Sequence, residues 1–440
     1  MRQIVLGVDG LSCEDLVDFV QLLPKSRRYF NLDSPLAVEG SVLTSPQGLW
    51  SEVLTSCDWT INGCVGYSHP RRSLNALAVM QERDLFVPPK FAAEETPESR
   101  TLSINMPLLM PKAKVRDWLS DGSQPVAYRV KPSKLLTHPE LQDYSPRAFS
   151  DLSSALGRPS AGAQFIECEK QRIDCAAILM QSRQWQRCFW RMSVFDDLSH
   201  FVGMGFLKAR DLLITKPLLQ LLDHLDDLLD AILSSGEATV HIVSTFSHVA
   251  CQGMLNLNNL LATGGFFTTE GNENEFRSKT NRMAASLLFT GMDDITNFTL
   301  RSHEGQLKTS HTLAASPVSG CIYINAKEYF DDGIVDAHSR HSIHQRLGSF
   351  LHDTLGKKFW GSAKIVENDE QSLKLAAGPM PDFVVSIDGI EFSDQPNPPR
   401  SLNDIPRTTH RASGFVLLPA NQMIESKAIK PRQVLEVIGV

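Results

Sequence analysis

Asp196 and His200 form a pair whose residue types and spacing could bind a metal ion. They belong to the stretch VFDDLSH, in which an apolar run ends in two acids and a histidine follows four residues after the first acid. If the chain turns helical after Phe195, the two side chains share one face, because residues four apart are neighbours on a helix. An isolated pair of this kind is more often a solvated acid and a surface histidine, so other residues must decide between the two interpretations.

Asp9 is a second candidate, because it ends a predicted buried strand. Residues 4–8 form an aliphatic run that Asp9-Gly10 terminates, which is typical of a parallel strand. Residues 13–23 then carry apolar side chains at helical spacing, with Ser12 as the expected cap. Open α/β sheets bind ligands at the carboxyl ends of their strands, and this position favours a catalytic role for Asp9. The alternative is that Asp9 only holds the turn.

Ser51 lies in the segment SPQGLWSEVLTS, residues 45–56, where a Pro-Gly loop precedes an apolar-periodic stretch. We expect Ser51 just inside the first turn of a helix, where the positive end of the helix dipole stabilises an oxyanion or a phosphate. Ser51 is therefore a candidate nucleophile or phosphate contact. A capping role is the alternative, because serine is among the commonest residues at helix N-caps.

The composition is that of an ordinary globular protein. The 440 residues are 42% hydrophobic and 21% charged with a net charge of −7, so no basic excess predicts nucleic-acid binding. The first residues, MRQIVLGVDG, resemble no signal peptide, and no apolar run is long enough to predict a membrane span. The eight cysteines include no Cys-x-x-Cys pair and are expected to be reduced thiols. We expect a cytoplasmic protein that binds a small-molecule substrate and contacts neither nucleic acid nor membranes; the sequence predicts no oligomeric state.

The predicted elements follow the order of a doubly wound α/β protein, in which strands and helices alternate. A leucine-rich helix is predicted at residues 212–233. Strands are predicted at residues 185–195, 239–243, 320–325 and 383–387, and a further helix at residues 341–355.

A proline-rich interval interrupts this pattern. Residues 82–163 predict a small cap-like insertion, with a short strand at residues 102–106 and a linker at residues 157–163. We therefore expect one domain over residues 1–440 that contains this insertion. The helix at residues 341–355 carries a set of histidines that we expect to form a surface stripe, because no acid or cysteine nearby completes a ligand set. These are His341, His344 and His352, with His338 just ahead of them.

The order of the motifs resembles that of the alkaline phosphatase superfamily, in particular its branch of type I phosphodiesterases and nucleotide pyrophosphatases. The resemblance covers most of the chain. It implies an α/β, alkaline-phosphatase-like fold with a large, mostly parallel central sheet, helices on both faces and a small cap insertion. The matching pieces are VLGVDG with Asp9, Trp50-Ser51, INMP at residues 104–107, Asp196 with His200, and His410-Arg411 with Gly414.

Members of this superfamily hold two metal ions, and the resemblance implies that one of the two ligand sets is complete here. That set consists of Asp196, His200 and His410. Two histidines and a carboxylate leave an open position on the ion, which suits zinc and also iron or manganese.

The second ligand set is incomplete by the same resemblance. It keeps Asp9 and Ser51, but Thr245 and Phe246 stand where the family has an aspartate and a histidine. His248, two residues further on, is a candidate for a displaced ligand. We therefore expect one tightly bound divalent ion.

Three functions are compatible with this pattern. The first is a divergent metal-dependent hydrolase or transferase with one ion, for which the ligand types favour zinc, and with Ser51 as nucleophile on a phosphoester or related substrate. The second is a pseudoenzyme that acts as a binding or scaffold protein. The third is a mononuclear iron enzyme that uses the two histidines and the carboxylate.

Overall fold

The computed structural model describes residues 1–66, 68–74, 77–79, 85–90, 100–106, 108, 160–181, 185–204, 206–208, 212–268, 290–291, 309–318, 320–359, 361–368, 379–392 and 408–440. A seven-stranded sheet lies at the centre of this part of the chain. In spatial order its strands are β18 (Ala428–Ile429), β2 (Leu36–Glu39), β17 (Ser413–Leu417), β7 (Ala238–Ser244), β1 (Arg2–Gly7), β6 (Trp185–Arg191) and β5 (Arg100–Ile104).

The central sheet is mostly parallel, as the sequence predicts. Neighbouring strands run parallel except at β17, which is antiparallel to both β2 and β7. The helices of the described residues are α1 (Cys13–Gln21), α2 (Pro46–Thr55), α3 (Trp59–Asn62), α4 (Ser160–Gln181), α5 (Val194–Val202), α6 (Leu212–Ser234), α7 (Leu257–Thr263), α8 (Ala337–Leu351) and α9 (Val434–Ile438).

Helices cover both faces of the central sheet. Successive side chains of a strand point to opposite faces, so neighbouring residues of β1 pack against different helices. Leu6 of β1 belongs to a buried apolar cluster that includes Phe19 of α1 and Leu225 of α6. Its neighbour Val5 belongs to a second cluster, which contains Trp50 of α2. The strand is therefore buried on both sides, and its aliphatic sequence reflects this.

The unit formed by β1 and α1 shows how local sequence positions the site. Ser12 caps α1: its hydroxyl accepts a hydrogen bond from the backbone N–H of Asp15, and the Asp15 carboxylate accepts one from the Ser12 N–H. Gly10 adopts a positive φ of 96°, and a Cβ atom there would lie 2.8 Å from the backbone nitrogen of Asp196. Glycine thus lets the start of α5 approach the end of β1.

Smaller sheets lie beside the central one. A four-stranded antiparallel sheet has the order β11 (Ala314–Val318), β12 (Cys321–Ile324), β14 (Phe383–Ile387) and β13 (Ala363–Glu367). The strands predicted at residues 320–325 and 383–387 therefore form in this separate sheet and do not extend the central one. A three-stranded sheet consists of β10 (Thr290–Gly291), β9 (Gly253–Leu255) and β15 (Ile390–Phe392). Two further pairs of strands are β3 (Ser68–Pro70) with β4 (Leu77–Val79), and β8 (Ser247–Ala250) with β16 (Thr408–Arg411).

The interval predicted as a cap, residues 82–163, contributes to the main fold. Its strand, β5, pairs in parallel with β6 at one edge of the central sheet. The predicted linker overlaps the start of α4, which begins at Ser160. Most of the rest of this interval lies outside the described residues. Within the described part of the chain, no helix is both long enough and apolar enough to cross a membrane.

Candidate metal centre

Helix α5 presents Asp196 and His200 on one face, as their spacing predicts. The strand β6 ends at Arg191, and α5 begins at Val194, so the predicted strand at residues 185–195 is four residues too long. Asp196 lies in the first turn of α5, where a negative charge is favourable to the helix dipole. Oδ1 of Asp196 and Nε2 of His200 are 3.4 Å apart.

A two-stranded antiparallel ribbon, formed by β8 and β16, supplies two further histidines. His248 of β8 and His410 of β16 are directly paired across the ribbon. The Nε2 atom of each lies 3.0 Å from Oδ1 of Asp196. The structure thus brings together the predicted ligands Asp196, His200 and His410, and it places His248 with them.

The donor atoms of these four residues fit a single metal ion. They all lie within 4.8 Å of one another. Nε2 of His200 is 2.9 Å from Nε2 of His410, a contact that requires a proton on one nitrogen or a cation shared between the two lone pairs. Ligand atoms of a tetrahedral zinc site lie about 3.3 Å apart, since each is about 2.0 Å from the ion. The three distances from Oδ1 of Asp196 to the imidazole Nε2 atoms and the distance between His200 and His410 are 2.9 to 3.4 Å, close to that value.

The environment of the cluster favours the metal-binding protonation states of Asp196 and His248, but it favours a proton on His200. Burial opposes the charged form of Asp196, but His410 and the hydrogen bonds of the histidines hold its pKa well below the ordinary value. Burial lowers the pKa of His248 to about 3, so its ring is neutral near pH 7. Burial also opposes the charge on His200, but Asp196 outweighs this effect and raises the pKa of that ring. A proton on His200 therefore competes with a metal ion for Nε2, so lowering the pH opposes ion binding.

The cluster is open on one side. The side chains of His200 and His410 are 29% and 21% exposed, whereas that of His248 is 2% exposed. A ligand from solvent would reach the centre past His200 and His410, because His248 and Asp196 form its buried floor.

Asp9 lies beside this cluster and is not part of it. Its Oδ2 atom accepts hydrogen bonds from Nε1 of Trp50 at 2.5 Å and Nε of Arg191 at 2.6 Å. Its Oδ1 atom accepts bonds from the backbone N–H and the hydroxyl of Thr245, at 3.1 and 3.0 Å. The carboxylate is fully buried and forms an ion pair with Arg191. These contacts fix the end of β1 against β6 and α2.

Thr245 and Phe246 lie next to the centre without contributing ligands to it. Thr245 donates to Asp9, and the Phe246 ring packs against the imidazole of His410 with ring centroids 4.6 Å apart. Phe246 is fully buried. A hydroxyl and a phenyl ring thus occupy the two positions at which the family resemblance implies an aspartate and a histidine.

Ser51 does not lie in the first turn of its helix, which corrects our expectation. Helix α2 begins at Pro46 and is capped by Ser45, so Ser51 belongs to the second turn.

The Ser51 hydroxyl is fully buried. It donates to the backbone oxygen of Gly48 at 2.6 Å and lies 3.4 Å from Oδ1 of Asn62. The neighbouring residue Trp50, and not Ser51, contacts Asp9. The position of Ser51 therefore lends no support to a nucleophilic role.

The histidines of α8, and His352 directly after its last residue, are spread over different environments. His338, His341 and His352 are exposed, as expected of a surface stripe. His344 instead stacks on Phe383, with ring centroids 4.5 Å apart. Helix α8 itself begins at Ala337, four residues before the predicted start, where Asp336 caps it.

Arg191 and Thr408 are residues of the site that the sequence pattern did not single out. Arg191 contacts both Asp9 and Asp196, and the Thr408 hydroxyl lies 2.9 Å from Nδ1 of His248. A signal was present for the arginine: it follows the apolar run CFW at the end of a strand that is otherwise buried. An arginine is almost never buried there without a carboxylate partner.

The central sheet and its flanking helices define an alkaline-phosphatase-like α/β fold, as the family resemblance implies. Over 99% of this chain and 94% of the other, the structure is similar to phosphonoacetate hydrolase from Sinorhizobium meliloti 1021 in complex with phosphonoformate, with a TM-score of 0.55 and 12% identity. The complex of that enzyme with phosphonoacetate covers the same shares, with a TM-score of 0.54 and 12% identity.

A further similar structure is that of murine ectonucleotide pyrophosphatase/phosphodiesterase 5. It covers 100% of this chain and 95% of that chain, with 10% identity and a TM-score of 0.47. No model of a known protein family matches the sequence, and no curated protein matches it.

Proposed function

We propose that this protein is a divergent metal-dependent hydrolase or transferase that binds one divalent ion through Asp196, His200, His248 and His410. The observation that carries the proposal is the convergence of three imidazole Nε2 atoms on Oδ1 of Asp196, at a rim that solvent reaches. A phosphoester or a related oxyanion is the proposed substrate class. The alkaline-phosphatase-like fold supports that choice by analogy.

Two residues of the centre are buried and suited to bind the ion, and the other two line its solvent-exposed side. Asp196 stays ionised and His248 stays neutral at pH 7, so both are ready to bind a cation. His200 and His410 form the exposed side, where a substrate oxygen can approach. A divalent ion held here supplies a Lewis acid that polarises an oxygen of the substrate.

The number of ligands bears on the identity of the ion. Four protein ligands complete a tetrahedral zinc site, whereas an octahedral manganese or iron ion keeps two positions for substrate. We propose that zinc gives a closed site and that manganese or iron gives an open one. Asp9 has no role as a ligand in this proposal, and no covalent step is assigned to Ser51.

Metal analysis of the purified protein tests the proposal directly. We expect about one ion per chain, lost in Asp196→Ala and in His410→Ala and retained in the control His352→Ala, whose histidine is exposed on another part of the surface. Turnover should then be measured with zinc, manganese and iron on phosphonoacetate, a phosphomonoester and a phosphodiester. An ion-free protein would overturn the proposal, and two tightly bound ions would overturn the single centre.

A second candidate function is a binding or scaffold protein with a structural ion. The fourth ligand, His248, favours it, because structural zinc sites are closed and catalytic ones keep a position open. This function predicts a metal-loaded chain without turnover on any of the three substrates, and a thermal midpoint that falls when a chelator removes the ion. Turnover that requires the ion would decide for the hydrolase.

A further inference from the structure

Arg191 joins the two buried carboxylates of the site. It is the last residue of β6, and its side chain is 1% exposed. Its Nε atom lies 2.6 Å from Oδ2 of Asp9, and its Nη2 atom lies 3.1 Å from Oδ2 of Asp196. One edge of the planar guanidinium group therefore holds one oxygen from each carboxylate.

This contact gives the two oxygens of Asp196 different partners. Oδ2 faces Arg191, whereas Oδ1 faces the Nε2 atoms of all three histidines. A carboxylate that was free to rotate could offer either oxygen, or both, to an ion. With Arg191 in place, a single oxygen is directed at the histidines.

The Arg191 guanidinium group also fills one of the lone-pair sites of the Asp9 carboxylate. A carboxylate has about four lone-pair sites, and four donor groups of the described residues point at the oxygens of Asp9. Asp9 can therefore bind a cation only if Arg191 or another donor leaves. Arginine remains charged throughout the pH range in which proteins fold, so the guanidinium half of the contact does not depend on pH.

We propose that Arg191 is a positioning residue of the metal centre: it directs Oδ1 of Asp196 at the ion and keeps Asp9 out of the ligand set. This inference rests on the proposed function, because it assumes that Asp196 binds a metal. In this role Arg191 influences the ion affinity and the coordination geometry without being a ligand itself. Residues that orient metal ligands in this way commonly change affinity by about 10- to 100-fold when they are replaced.

The fork shape of the guanidinium group is central to the proposal. Lysine would keep the positive charge, but it is a point charge that cannot hold two oxygens in a fixed, coplanar arrangement. Arg191→Lys therefore separates charge from geometry. The double variant Asp9→Asn with Arg191→Met removes the buried pair without leaving the charge of Asp9 unpaired, which removal of Arg191 alone would do.

The test compares these variants in ion affinity and in coordination. Zn²⁺ affinity is measured by competition with a chromophoric chelator, and the visible absorption spectrum of the Co²⁺-loaded protein reports the geometry around the ion. Asp9→Asn alone serves as one comparison, because Arg191 still holds Asp196 in it. The double variant Arg340→Met with Asp382→Asn is the matched control: it removes another buried arginine–carboxylate pair, 2.9 Å apart, beside the smaller sheet.

We expect the Asp9→Asn/Arg191→Met protein to bind Zn²⁺ roughly 10- to 100-fold more weakly than the unaltered protein and to show a changed Co²⁺ spectrum. Arg191→Lys should change the spectrum as well, whereas Asp9→Asn and the Arg340 control should keep it. An Asp9→Asn/Arg191→Met protein with the original affinity and spectrum would overturn the proposal. If that variant does not fold, an unchanged spectrum in Arg191→Lys would overturn it.

The two proposals fail in different ways. If the unaltered protein binds no ion, the proposed function and the role of Arg191 both fall. If the unaltered protein binds one ion and all Arg191 variants match it, the proposed function stands and only the positioning role is lost.

Discussion

The Thr408 hydroxyl lies 2.9 Å from Nδ1 of His248, on the side of the ring away from the Nε2 atom that faces Asp196. When Nε2 binds a metal ion it carries no proton, so Nδ1 must carry one and donate it to an acceptor. Thr408 is buried beside it and can accept that hydrogen bond. Without an ion the same hydroxyl can donate to Nδ1, so it suits both states of the histidine.

Thr408→Val should weaken metal binding by roughly 10- to 100-fold, because a valine of the same shape leaves Nδ1–H without an acceptor. Thr408→Ser should restore most of the affinity. Thr409→Val is the matched control, because Thr409 is on the same strand but donates to Glu391. Isothermal titration with Zn²⁺ measures the effect. Equal affinity in Thr408→Val and Thr409→Val would show that the hydrogen bond does not orient His248.

Ser51→Ala should leave metal content and turnover unchanged, because the Ser51 hydroxyl is buried and donates to Gly48 within its own helix. The expected loss of stability is about 1 kcal/mol, the value of one ordinary hydrogen bond. Metal analysis and turnover under saturating metal check the prediction, with Thr55→Ala as a control that removes a similar contact to the backbone of α2. Complete loss of turnover with full metal content would restore Ser51 as the nucleophile.

Thr245→Asp with Phe246→His should create a protein that needs a second cation. The new carboxylate would stand where the Thr245 hydroxyl now donates to Asp9, so two negative charges would face each other beside Arg191. We expect a lower thermal midpoint in chelator and a larger rise with added Mn²⁺ than in the unaltered protein, together with more activity on a generic phosphodiester.

Thr245→Asn with Phe246→Leu is the control for that experiment, since it changes the same positions without adding charge. A metal-dependent rise of the same size in both variants would contradict the prediction. So would an Asp/His variant whose midpoint in chelator equals that of the unaltered protein.

Glu52 should make the protein less stable as the pH rises. Burial and the nearby charge of Asp58 raise the pKa of Glu52 from its ordinary value of 4.5 to about 8. Because the folded state binds this proton more tightly than the unfolded state, the stabilisation is complete below pH 4.5 and is lost as the pH rises to about 8. Glu52→Gln should remove this part of the pH dependence.

Urea unfolding at pH 5 and pH 8 in the presence of a chelator measures the Glu52 effect. Relative to the unaltered protein, Glu52→Gln should gain at least about 1 kcal/mol between the two pH values, since one pKa unit corresponds to about 1.4 kcal/mol. Asp58→Asn should show a smaller change in the same direction. Parallel pH profiles for Glu52→Gln and the unaltered protein would rule out a raised pKa for Glu52.

Local sequence predicted the elements that depend on near neighbours. Helical spacing placed Asp196 and His200 on one face, and the capping pattern of Ser12 placed the start of α1 correctly. The proline of α2 was misinterpreted as part of a loop, although proline is favoured at the first position of a helix. That single error moved the start of α2 and with it the expected position of Ser51.

The contacts around Arg191 and His248 could not be predicted in the same way, because they depend on pairing between distant segments. His248 reaches the centre through its register opposite His410 in the ribbon, which no local pattern encodes. Arg191 meets Asp9 because β1 and β6 are paired with Gly7 opposite Arg191. Family resemblance linked His410 to Asp196 and made His248 a candidate displaced ligand of the second set, but it could not show that His248 lies with the first set.

The distance along the chain between Asp196 and His410 sets the earliest moment at which the proposed centre can assemble in a cell. His410 follows Asp196 by 214 residues. At about 5 to 20 residues per second, a ribosome needs roughly 10 to 40 s to cover that stretch. Until then a nascent chain carries Asp196, His200 and His248 without His410, so the proposed four-ligand centre can form only after β16 has been synthesised and has paired with β8.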